Sequence, residues 1–282
     1  MRRTLGTWML GLVAACSPVT VLNTLAPQDG ITVTTGIAYG EESRQRLDVY
    51  TPAVTPAPVV LFVYGGGWQS GERAMYRFVA ASLAARGFVV VVPDYRLYPE
   101  VRFPAFLQDG AGAIGWTYRT IAQYGGEPDA IHLMGHSAGA WTVMMLTLDR
   151  QWLQAEGLDP DRVVAGTIGV SGPYDFLPLR EAYLQDMFAP AGDLRLTQPV
   201  TFARGDAPPL LLIHGMDDQR VWPRNTERLA ERMRAKGGWV EERIYPRIGH
   251  TAIIGAVARP LQWLAPITDD VVAFLRLRET VR

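Results

Sequence analysis

Cysteine is nearly absent from the chain, because Cys16 is the only one among 282 residues. A lone cysteine excludes an internal disulfide framework. Lysine and arginine form no block that could neutralise a run of phosphates, since 27 basic and 28 acidic residues are spread along the chain and leave a net charge of −1. We therefore expect no nucleic-acid partner. No His, Cys and Asp residues stand at metal-ligand spacing, so the sequence predicts neither a metal site nor an organic cofactor.

The composition is otherwise that of an ordinary globular protein, with 48% hydrophobic and 20% charged residues. These fractions exclude a disordered or fibrous chain. The sequence shows no internal repeat and no long linker, and α/β folds often form one unit at this length. We therefore expect one large domain over residues 31–282.

The first sixteen residues have the pattern of an export sequence. Arg2 and Arg3 precede an apolar stretch, residues 4–15, which is shorter than the roughly 20 residues of a bilayer span but typical of a secretory signal. The stretch ends in Val-Ala-Ala-Cys at Cys16 and resembles the lipobox of bacterial lipoproteins, which implies cleavage before Cys16 and a lipid on it. We expect an exported lipoprotein, anchored to a bacterial membrane and facing the periplasm or the cell surface. An ordinary cleaved signal peptide is the alternative, and residues 17–30 are expected to form a weakly patterned tether.

Strand-like and helix-like segments alternate from residue 31 onward, which predicts an α/β fold with a mostly parallel eight-stranded sheet and helices on both faces. Several strand candidates are continuous apolar runs, as expected of strands covered on both faces, whereas the first two alternate and are expected at the sheet edge. The candidate strands are 31–39, 45–50, 59–64, 89–93, 131–134, 166–171, 210–214 and 240–245. The candidate helices are 73–86, 104–124, 138–152, 223–236 and 269–278. The long segment 174–208 has no strong period and is expected to form a partial cap over a pocket.

The strongest local pattern is Gly-His-Ser-Ala-Gly at residues 135–139, between an apolar strand candidate and an apolar helix candidate. A serine at such a strand-to-helix turn adopts a strained backbone, so the residues two positions to either side must be small. The free amides at the start of the helix point towards whatever binds to the serine. The pattern predicts that Ser137 is a catalytic nucleophile. The alternative is a Ser-Gly turn ahead of a buried helix.

Three consecutive glycines, residues 65–67, follow another predicted central strand. Glycine lets the backbone approach a substrate carbonyl closely and aim amides at it. We expect the amides of Gly66 and Gly67, together with that of Ala138, to bind the oxyanion of a tetrahedral intermediate. A flexible glycine loop without a ligand is the alternative.

Only one of the four histidines has the position expected of the catalytic base. After a serine in this kind of turn, the acid and then the histidine follow in chain order. His250 comes after the last predicted strand and fits that order. His132 and His136 lie too close to Ser137 along the chain to reach its hydroxyl from the far side of the site. His214 precedes the expected acid and is predicted to have a structural role.

The acid is expected in the loop after the penultimate strand, where Asp217 and Asp218 are adjacent. Asp218 is favoured because it stands four residues past the strand-ending His214 and three before the apolar Val221. Asp217 is the alternative, and Asp175, beyond the preceding strand, is a third candidate.

The chain resembles the esterase/lipase group of α/β hydrolases, which includes hormone-sensitive-lipase-like carboxylesterases, small acetyl-xylan and feruloyl esterases, and kynurenine formamidases. The likeness covers about residues 33–275. It is densest in Tyr-Gly-Gly-Gly-Trp at 64–68, Pro-Asp-Tyr-Arg-Leu at 93–97, Gly-Gly-Glu-Pro at 125–128, the serine turn, and residues 214–221. The resemblance implies the α/β-hydrolase fold and a triad of Ser137, Asp218 and His250.

One position departs from this family. The family usually has a histidine where this chain has Tyr64. That histidine supports the glycine loop and is not a triad member, so the departure bears on the rigidity of the loop and on substrate preference.

These residues together predict a serine hydrolase that cleaves short-chain carboxylic esters through an acyl-enzyme on Ser137. A short acyl group is expected because the sequence shows no large independent lid, and Trp68 and Trp141 are expected to line the substrate pocket. Two alternatives within the family are amide cleavage, as in the arylformamidases, and action on acetyl-xylan or feruloyl esters. An alternative from another class is a non-catalytic binding protein anchored at the surface.

Overall fold

The computed structural model of the chain describes residues 18–277 and contains one eight-stranded sheet. Across the sheet the strands are ordered β1-β2-β4-β3-β5-β6-β7-β8. β2 is antiparallel to both of its neighbours, and all other pairs are parallel. The predicted mostly parallel α/β architecture is therefore confirmed. The strands are β1 Ile31–Ala38, β2 Arg46–Pro52, β3 Ala57–Val63, β4 Val89–Pro93, β5 Gly126–His136, β6 Val164–Val170, β7 Leu210–Gly215 and β8 Val240–Tyr245.

Helices flank the sheet, and most of the predicted ones are present with shorter bounds. In the predicted helix 73–86 the first residues, Arg73–Tyr76, form a 3-10 turn, and in the predicted helix 104–124 the last residues, Ile121–Tyr124, do so. The predicted helix 138–152 breaks at Asp149, whose backbone is extended, and a short helix follows. The α-helices are α1 Pro18–Thr24, α2 Arg77–Ala84, α3 Ala105–Thr120, α4 Ala138–Leu148, α5 Gln151–Gln154, α6 Pro160–Val163, α7 Ala182–Phe188, α8 Arg224–Ala235, α9 His250–Gly255 and α10 Ile267–Leu277.

The two strands expected at the sheet edge differ from each other. β1 is an edge strand, as predicted, and most of its residues are exposed. β2 lies between β1 and β4, and residues 47–50 are buried. The expectation for β2 was wrong because β1 pairs with its outer side and α2 packs against it. The other edge strand is β8, whose side chains are mostly half-buried.

The segment expected as a tether includes α1, which packs against the main domain. Asn23 holds this helix in place: its Nδ2 donates to the carbonyls of Ala74 and Met75 at 3.0 and 3.3 Å, and its Oδ1 accepts from the Phe78 amide. The predicted signal and Cys16 lie outside the described residues. Within residues 18–277, no helix has the length and apolar character needed to cross a membrane.

The centre of the molecule is the helix that follows Ser137. Every residue of α4 is buried, which agrees with its uniformly apolar sequence, because a helix without a polar face must be covered on all sides. The segment 174–208, expected as a partial cap, folds into α7 and three 3-10 helices, Ala189–Ala191, Leu194–Thr197 and Pro199–Phe202. Residues 176–184 of this segment contribute to one wall of the cavity above Ser137.

Candidate active site

The strand register places the candidate residues at one edge of the sheet. Val63 of β3 pairs with Gly135 of β5, so the glycine loop after β3 and the serine after β5 are neighbours. β6 is parallel to β5, β7 to β6 and β8 to β7, so the loops after β7 and β8 lie at the same edge of the sheet. Open parallel sheets bind ligands in the crevice at the carboxyl ends of their strands.

Ser137 is held in a strained turn between β5 and α4. Its φ of 56° and ψ of −122° lie in a region that non-glycine residues rarely adopt. A side chain on Gly135 would collide with the backbone of Gly139, and one on Gly139 would collide with the carbonyl oxygen of Val63. The small residues on either side of the serine are therefore required by close backbone approach. The turn exposes the hydroxyl towards the cavity.

Ser137, His250 and Asp218 form a continuous chain of hydrogen-bonding groups. Nε2 of His250 lies 2.9 Å from Oγ of Ser137, and Nδ1 of His250 lies 2.7 Å from Oδ2 of Asp218. The sequence separations are 113 and 32 residues, so only the fold brings them together. His250 begins α9, directly after the loop that leaves β8.

The structure separates Asp218 from the two other acid candidates. Asp218 is buried, and its Oδ1 accepts the amides of Arg220 and Val221 at 3.0 and 2.9 Å. Asp217 is exposed next to it. Asp175 pairs with Arg228 at 2.8 Å. Among the three, Asp218 is the one that contacts the His250 ring.

Asp218 remains ionised although it is buried. Burial raises the pKa of a carboxyl, but hydrogen bonds from His214 and His250 and from the Val221 amide outweigh it and hold the pKa of Asp218 well below its ordinary value. A permanent carboxylate fixes the Nδ1–H tautomer of His250 and leaves Nε2 free to accept the serine proton.

The supporting role of His214 is more specific than sequence reasoning indicated. The side chain is fully buried, and its Nε2 donates to the Val221 carbonyl at 2.8 Å. Nδ1 lies 2.8 Å from the Thr226 hydroxyl, which therefore donates to it. Nε2 also lies 3.3 Å from Asp218 Oδ2. His214 thus clamps the acid loop and stabilises the negative charge of Asp218.

Asn225 is a second supporting residue, and no sequence pattern pointed to it. Its Oδ1 accepts the amides of Tyr174 and Asp175 at 3.0 and 2.9 Å, and its Nδ2 donates to the Trp222 carbonyl at 3.1 Å. This buried side chain therefore ties the loop after β7 to the loop after β6.

His136 also contacts His250, through both its ring and its backbone. Its Nε2 donates to the His250 carbonyl at 3.0 Å, and the two rings are 4.9 Å apart. Burial, followed by the nearby charge of His250, lowers the pKa of His136 to about 3. His136 is therefore neutral and acts as a fixed donor that positions the backbone of His250.

The residues whose amides are expected to form the oxyanion hole line the same cavity as Ser137. Gly66 and Gly67 have positive φ angles of 127° and 60°, and both line the cavity together with Ala138. A side chain on Gly66 would collide with the Ser70 carbonyl. In the part of the chain that the structure describes, neither glycine amide donates to another protein group. Ala138 is the first residue of α4, where amides have no partner within the helix.

Tyr64, at the family's usual histidine position, anchors this glycine loop. Its hydroxyl donates to Asp94 Oδ1 at 2.8 Å and accepts from Arg44 at 3.0 Å. Arg44 also donates to the Gly71 carbonyl at 2.8 Å, at the far end of the loop. The Tyr64 ring stacks on Tyr95, with centroids 4.9 Å apart. Burial, with the nearby charges of Tyr95 and Asp94, raises the pKa of Tyr64 far above its ordinary value, so the phenol stays protonated.

A cavity of about 870 Å³ opens above Ser137. Trp68 lies in its wall, and its buried Nε1 has no hydrogen-bond partner among residues 18–277. Trp141, also expected in the pocket, does not line it. Trp141 is fully buried, donates to the Thr197 carbonyl at 2.7 Å and packs edge-on against Trp68. The expectation for Trp141 was wrong because α4 turns this side chain into the core beneath the cavity.

The residues described hold no group of three or more His, Cys, Asp or Glu side chains that could bind a metal ion. The polar groups at the cavity floor are arranged for proton transfer and for binding an oxyanion. A mostly parallel sheet with a strained serine after β5, a carboxylate after β7 and a histidine after β8 defines an α/β hydrolase.

The chain belongs to the BD-FAE family, whose model matches residues 47–233. It is 31% identical over 242 residues to a probable isoprenylcysteine alpha-carbonyl methylesterase of Arabidopsis thaliana, covering 76% of this chain and 50% of that protein. It is also 31% identical to Esterase LipC of Mycobacterium tuberculosis, with 71% and 54% covered. The chain thus spans about half the length of these relatives.

Solved structures share the fold. Esterase B from Lactobacillus rhamnosis, in an inhibited form, superposes with a TM-score of 0.78 at 22% identity, covering 93% of this chain and 91% of that one. A truncated carbohydrate esterase from gut microbiota superposes with a TM-score of 0.75 at 20% identity, covering 90% and 99%. Both superpositions show that the chain shares the fold of these proteins.

Proposed function

We propose that this protein is a serine hydrolase that cleaves short-chain carboxylic esters through an acyl-enzyme on Ser137. The observation that carries the proposal is the unbroken path from hydroxyl to imidazole to carboxylate, with contacts of 2.9 and 2.7 Å, at the floor of an open cavity. The Ser137 backbone is strained, which destabilises the fold. Such strain is typical of residues held in place for function, because a hydrogen bond that only stabilised the fold would not need it.

Acylation begins when Ser137 Oγ attacks the ester carbonyl. His250 Nε2 accepts the hydroxyl proton and then donates it to the oxygen of the leaving alcohol. Asp218 keeps the imidazole in the required tautomer and stabilises the charged ring, which it can do because it is ionised throughout the cycle. Water then attacks the acyl carbonyl while giving a proton to His250, and His250 returns that proton to Ser137 Oγ as the bond between Oγ and the acyl carbon breaks and the acid leaves.

The tetrahedral intermediate carries its negative charge on the former carbonyl oxygen. The amides of Gly66, Gly67 and Ala138 are the donors for that oxygen, because they line the cavity and are not committed elsewhere. Donors that are already oriented stabilise charge without further reorganisation, and loss of one typically costs about 10²–10³ in turnover. Tyr64 and Arg44 act behind the loop and position it.

The ester class is supported by the relatives, which are named as esterases and methylesterases. A short acyl group is supported by the cap segment 174–208, which consists of α7 and brief 3-10 turns instead of a large separate lid. Amide cleavage and action on acetyl-xylan or feruloyl esters have no specific observation in their favour. A purely binding role would leave the serine–histidine–aspartate contacts without a use.

The test combines labelling with a substrate panel. A fluorophosphonate probe is expected to label Ser137, as mapped by peptide mass spectrometry, and p-nitrophenyl esters from acetate to hexanoate are expected to be the best substrates. Ser137→Ala is expected to abolish labelling and to lower kcat by about 10⁶-fold. Equal activity of wild type and Ser137→Ala would favour a binding role, whereas faster turnover of an aryl formamide would reassign the enzyme to amide cleavage.

We also propose that the protein is exported and that Cys16 carries its lipid anchor, on the basis of the sequence pattern at residues 2–16. Cys16→Ser is expected to release the protein from bacterial membranes into the soluble fraction, with metabolic labelling by a fatty-acid analogue lost at the same time. Unchanged membrane partition in that variant would contradict the proposal.

A further inference from the structure

Three arginines line the cavity above Ser137, and they come from separate parts of the fold. Arg180 belongs to the cap segment, Arg220 to the loop that carries the acid, and Arg224 to the first turn of α8. None of the three guanidinium groups makes an ion pair or a hydrogen bond within residues 18–277. Elsewhere on the molecule arginines such as Arg73 and Arg204 pair with carboxylates. Three guanidinium groups without a carboxylate partner among the described residues therefore line the same cavity.

The negative charge at the cavity is smaller. Glu181 is the only acidic side chain among the lining residues that the structure describes, and it pairs with none of the three arginines. Asp218 is close but buried, and its charge is taken up by His214, His250 and two backbone amides. Asp175 is engaged by Arg228 on the outer surface. The cavity thus faces solvent with an excess of positive charge.

Arg224 occupies a position that local stability does not favour. A cation in the first turn of a helix opposes the helix dipole and is therefore unfavourable there. Its guanidinium stacks 4.6 Å from the ring centre of Trp222, which is itself 56% exposed. An exposed tryptophan stacked on an unfavourably placed arginine, in the lining of the cavity that also contains Ser137, has the form of a recognition element.

We propose that the cavity selects esters that carry an anionic group, a carboxylate or a phosphate, a few bonds away from the scissile carbonyl. The guanidinium fork matches both groups, and a cleft with aromatic walls such as Trp68 and Phe176 concentrates the field of the three arginines on the substrate. This inference rests on the proposed ester hydrolysis and adds the class of substrate.

The test uses matched pairs of neutral and anionic esters. One pair places the charge in the acyl group: the half-ester of adipic acid with p-nitrophenol against p-nitrophenyl hexanoate. The other places it in the alcohol: 4-carboxyphenyl butyrate against 4-carbamoylphenyl butyrate. In at least one pair, kcat/KM is expected to be about 10-fold higher for the anionic ester, through KM, and to fall towards the neutral value in 0.5 M NaCl. The pair that responds identifies the side of the bond that the arginines face.

Substitutions assign the effect to the three arginines. Arg180→Gln, Arg220→Gln and Arg224→Gln are each expected to lower the anionic preference about twofold, and the triple variant to abolish it. Arg232→Gln is the control, because it removes the same exposed charge from α8 at a position outside the cavity lining. A preference that survives in the triple variant, or that Arg232→Gln lowers equally, would overturn the proposal.

The two proposals fail in distinguishable ways. Equal kcat/KM within both pairs, with Ser137 still labelled by a fluorophosphonate, would overturn the anionic selectivity and leave ester hydrolysis intact. If no ester is cleaved, calorimetric titration of Ser137→Ala with the adipate half-ester and with p-nitrophenyl hexanoate still decides the selectivity. Tighter binding of the anion, lost in the triple arginine variant, supports it, and equal binding contradicts it.

Discussion

The floor and the mouth of the cavity are built in opposite ways. At the floor, Asp218, His214 and Asn225 are buried and each makes two or more hydrogen bonds. At the mouth, Arg224 and Trp222 are exposed, and the arginine guanidinium stacks on the tryptophan ring.

The difference separates two physical tasks. Proton transfer needs atoms held at fixed distances, and a buried polar group stays in place only if its hydrogen bonds are complete, since an unsatisfied one costs about 1–3 kcal/mol. Recognition of an incoming substrate needs polar or charged groups whose hydrogen bonds and ion pairs are still unformed in the free protein. Substitutions at the floor are therefore expected to change kcat and stability, and those at the mouth to change KM.

Among variants that keep the nucleophile, the largest effect is expected from Asp218→Asn at the floor. The amide cannot hold the Nδ1–H tautomer of His250, so kcat is expected to fall by about 10⁴-fold with little change in structure. Steady-state kinetics and circular dichroism measure the two outcomes. Asp217→Asn is the control, because Asp217 is exposed and does not contact His250. Similar losses in both variants would show that the loop, and not the carboxylate of Asp218, is responsible.

The second effect concerns pH and His136. Because the folded protein lowers the pKa of His136 to about 3, the unfolded state alone binds the proton as the pH falls below about 6.5. The contribution of His136 is therefore fully present above pH 6.5 and is lost as the pH falls towards 3. Between pH 7 and pH 4 the free energy of unfolding is expected to fall by about 3 kcal/mol from this group alone.

Urea unfolding at the two pH values measures this loss. His136→Gln keeps a donor for the His250 carbonyl and cannot be protonated, so its free energy of unfolding is expected to depend less steeply on pH. The same dependence in the variant and the wild type would show that His136 does not bind the proton on unfolding.

A smaller effect is expected behind the glycine loop. Tyr64→Phe removes the hydroxyl that joins Asp94 to Arg44, which is expected to lower the free energy of unfolding by about 1–3 kcal/mol and kcat by about 10-fold. Tyr76→Phe removes a hydroxyl from the ring that stacks on Tyr64 without breaking this link. If Tyr76→Phe lowers kcat as much as Tyr64→Phe does, ring packing and not the hydroxyl orients the loop.

The smallest change in stability is expected at the mouth. Trp222→Ala removes a side chain that is 56% exposed, so the free energy of unfolding is expected to change by less than about 0.5 kcal/mol. Thermal denaturation measures this. A loss of 2 kcal/mol or more would place Trp222 with the floor and end the distinction drawn between the two regions.

Much of the fold and part of the site could be predicted because the relevant constraints act over short stretches of chain. Continuous apolar runs such as β4 and β7 indicate buried parallel strands, and the architecture predicted from them is confirmed. The small residues around Ser137 follow from a collision with the adjacent turn and with β3, so their spacing is visible in one segment.

Other features depend on which segments meet. β2 alternates like an edge strand but is buried, because β1 and α2 cover it. Trp141 is an aromatic residue close to Ser137 in the chain and was expected in the pocket, yet its side chain points from α4 into the core. Asn225 has no distinguishing neighbours in the sequence, and its importance appears only when the loop after β6 lies against it.

From the order of the amino acids alone follow the alternation of strands and helices and the strained serine turn, since steric fit and hydrophobic periodicity act between near neighbours. Tertiary structure alone decided that the Asp218 carboxyl stays ionised and that Arg180, Arg220 and Arg224 share one cavity without a carboxylate partner among residues 18–277. Electrostatic interactions depend on distances in space, and these distances exist only once residues far apart in the chain have been packed together.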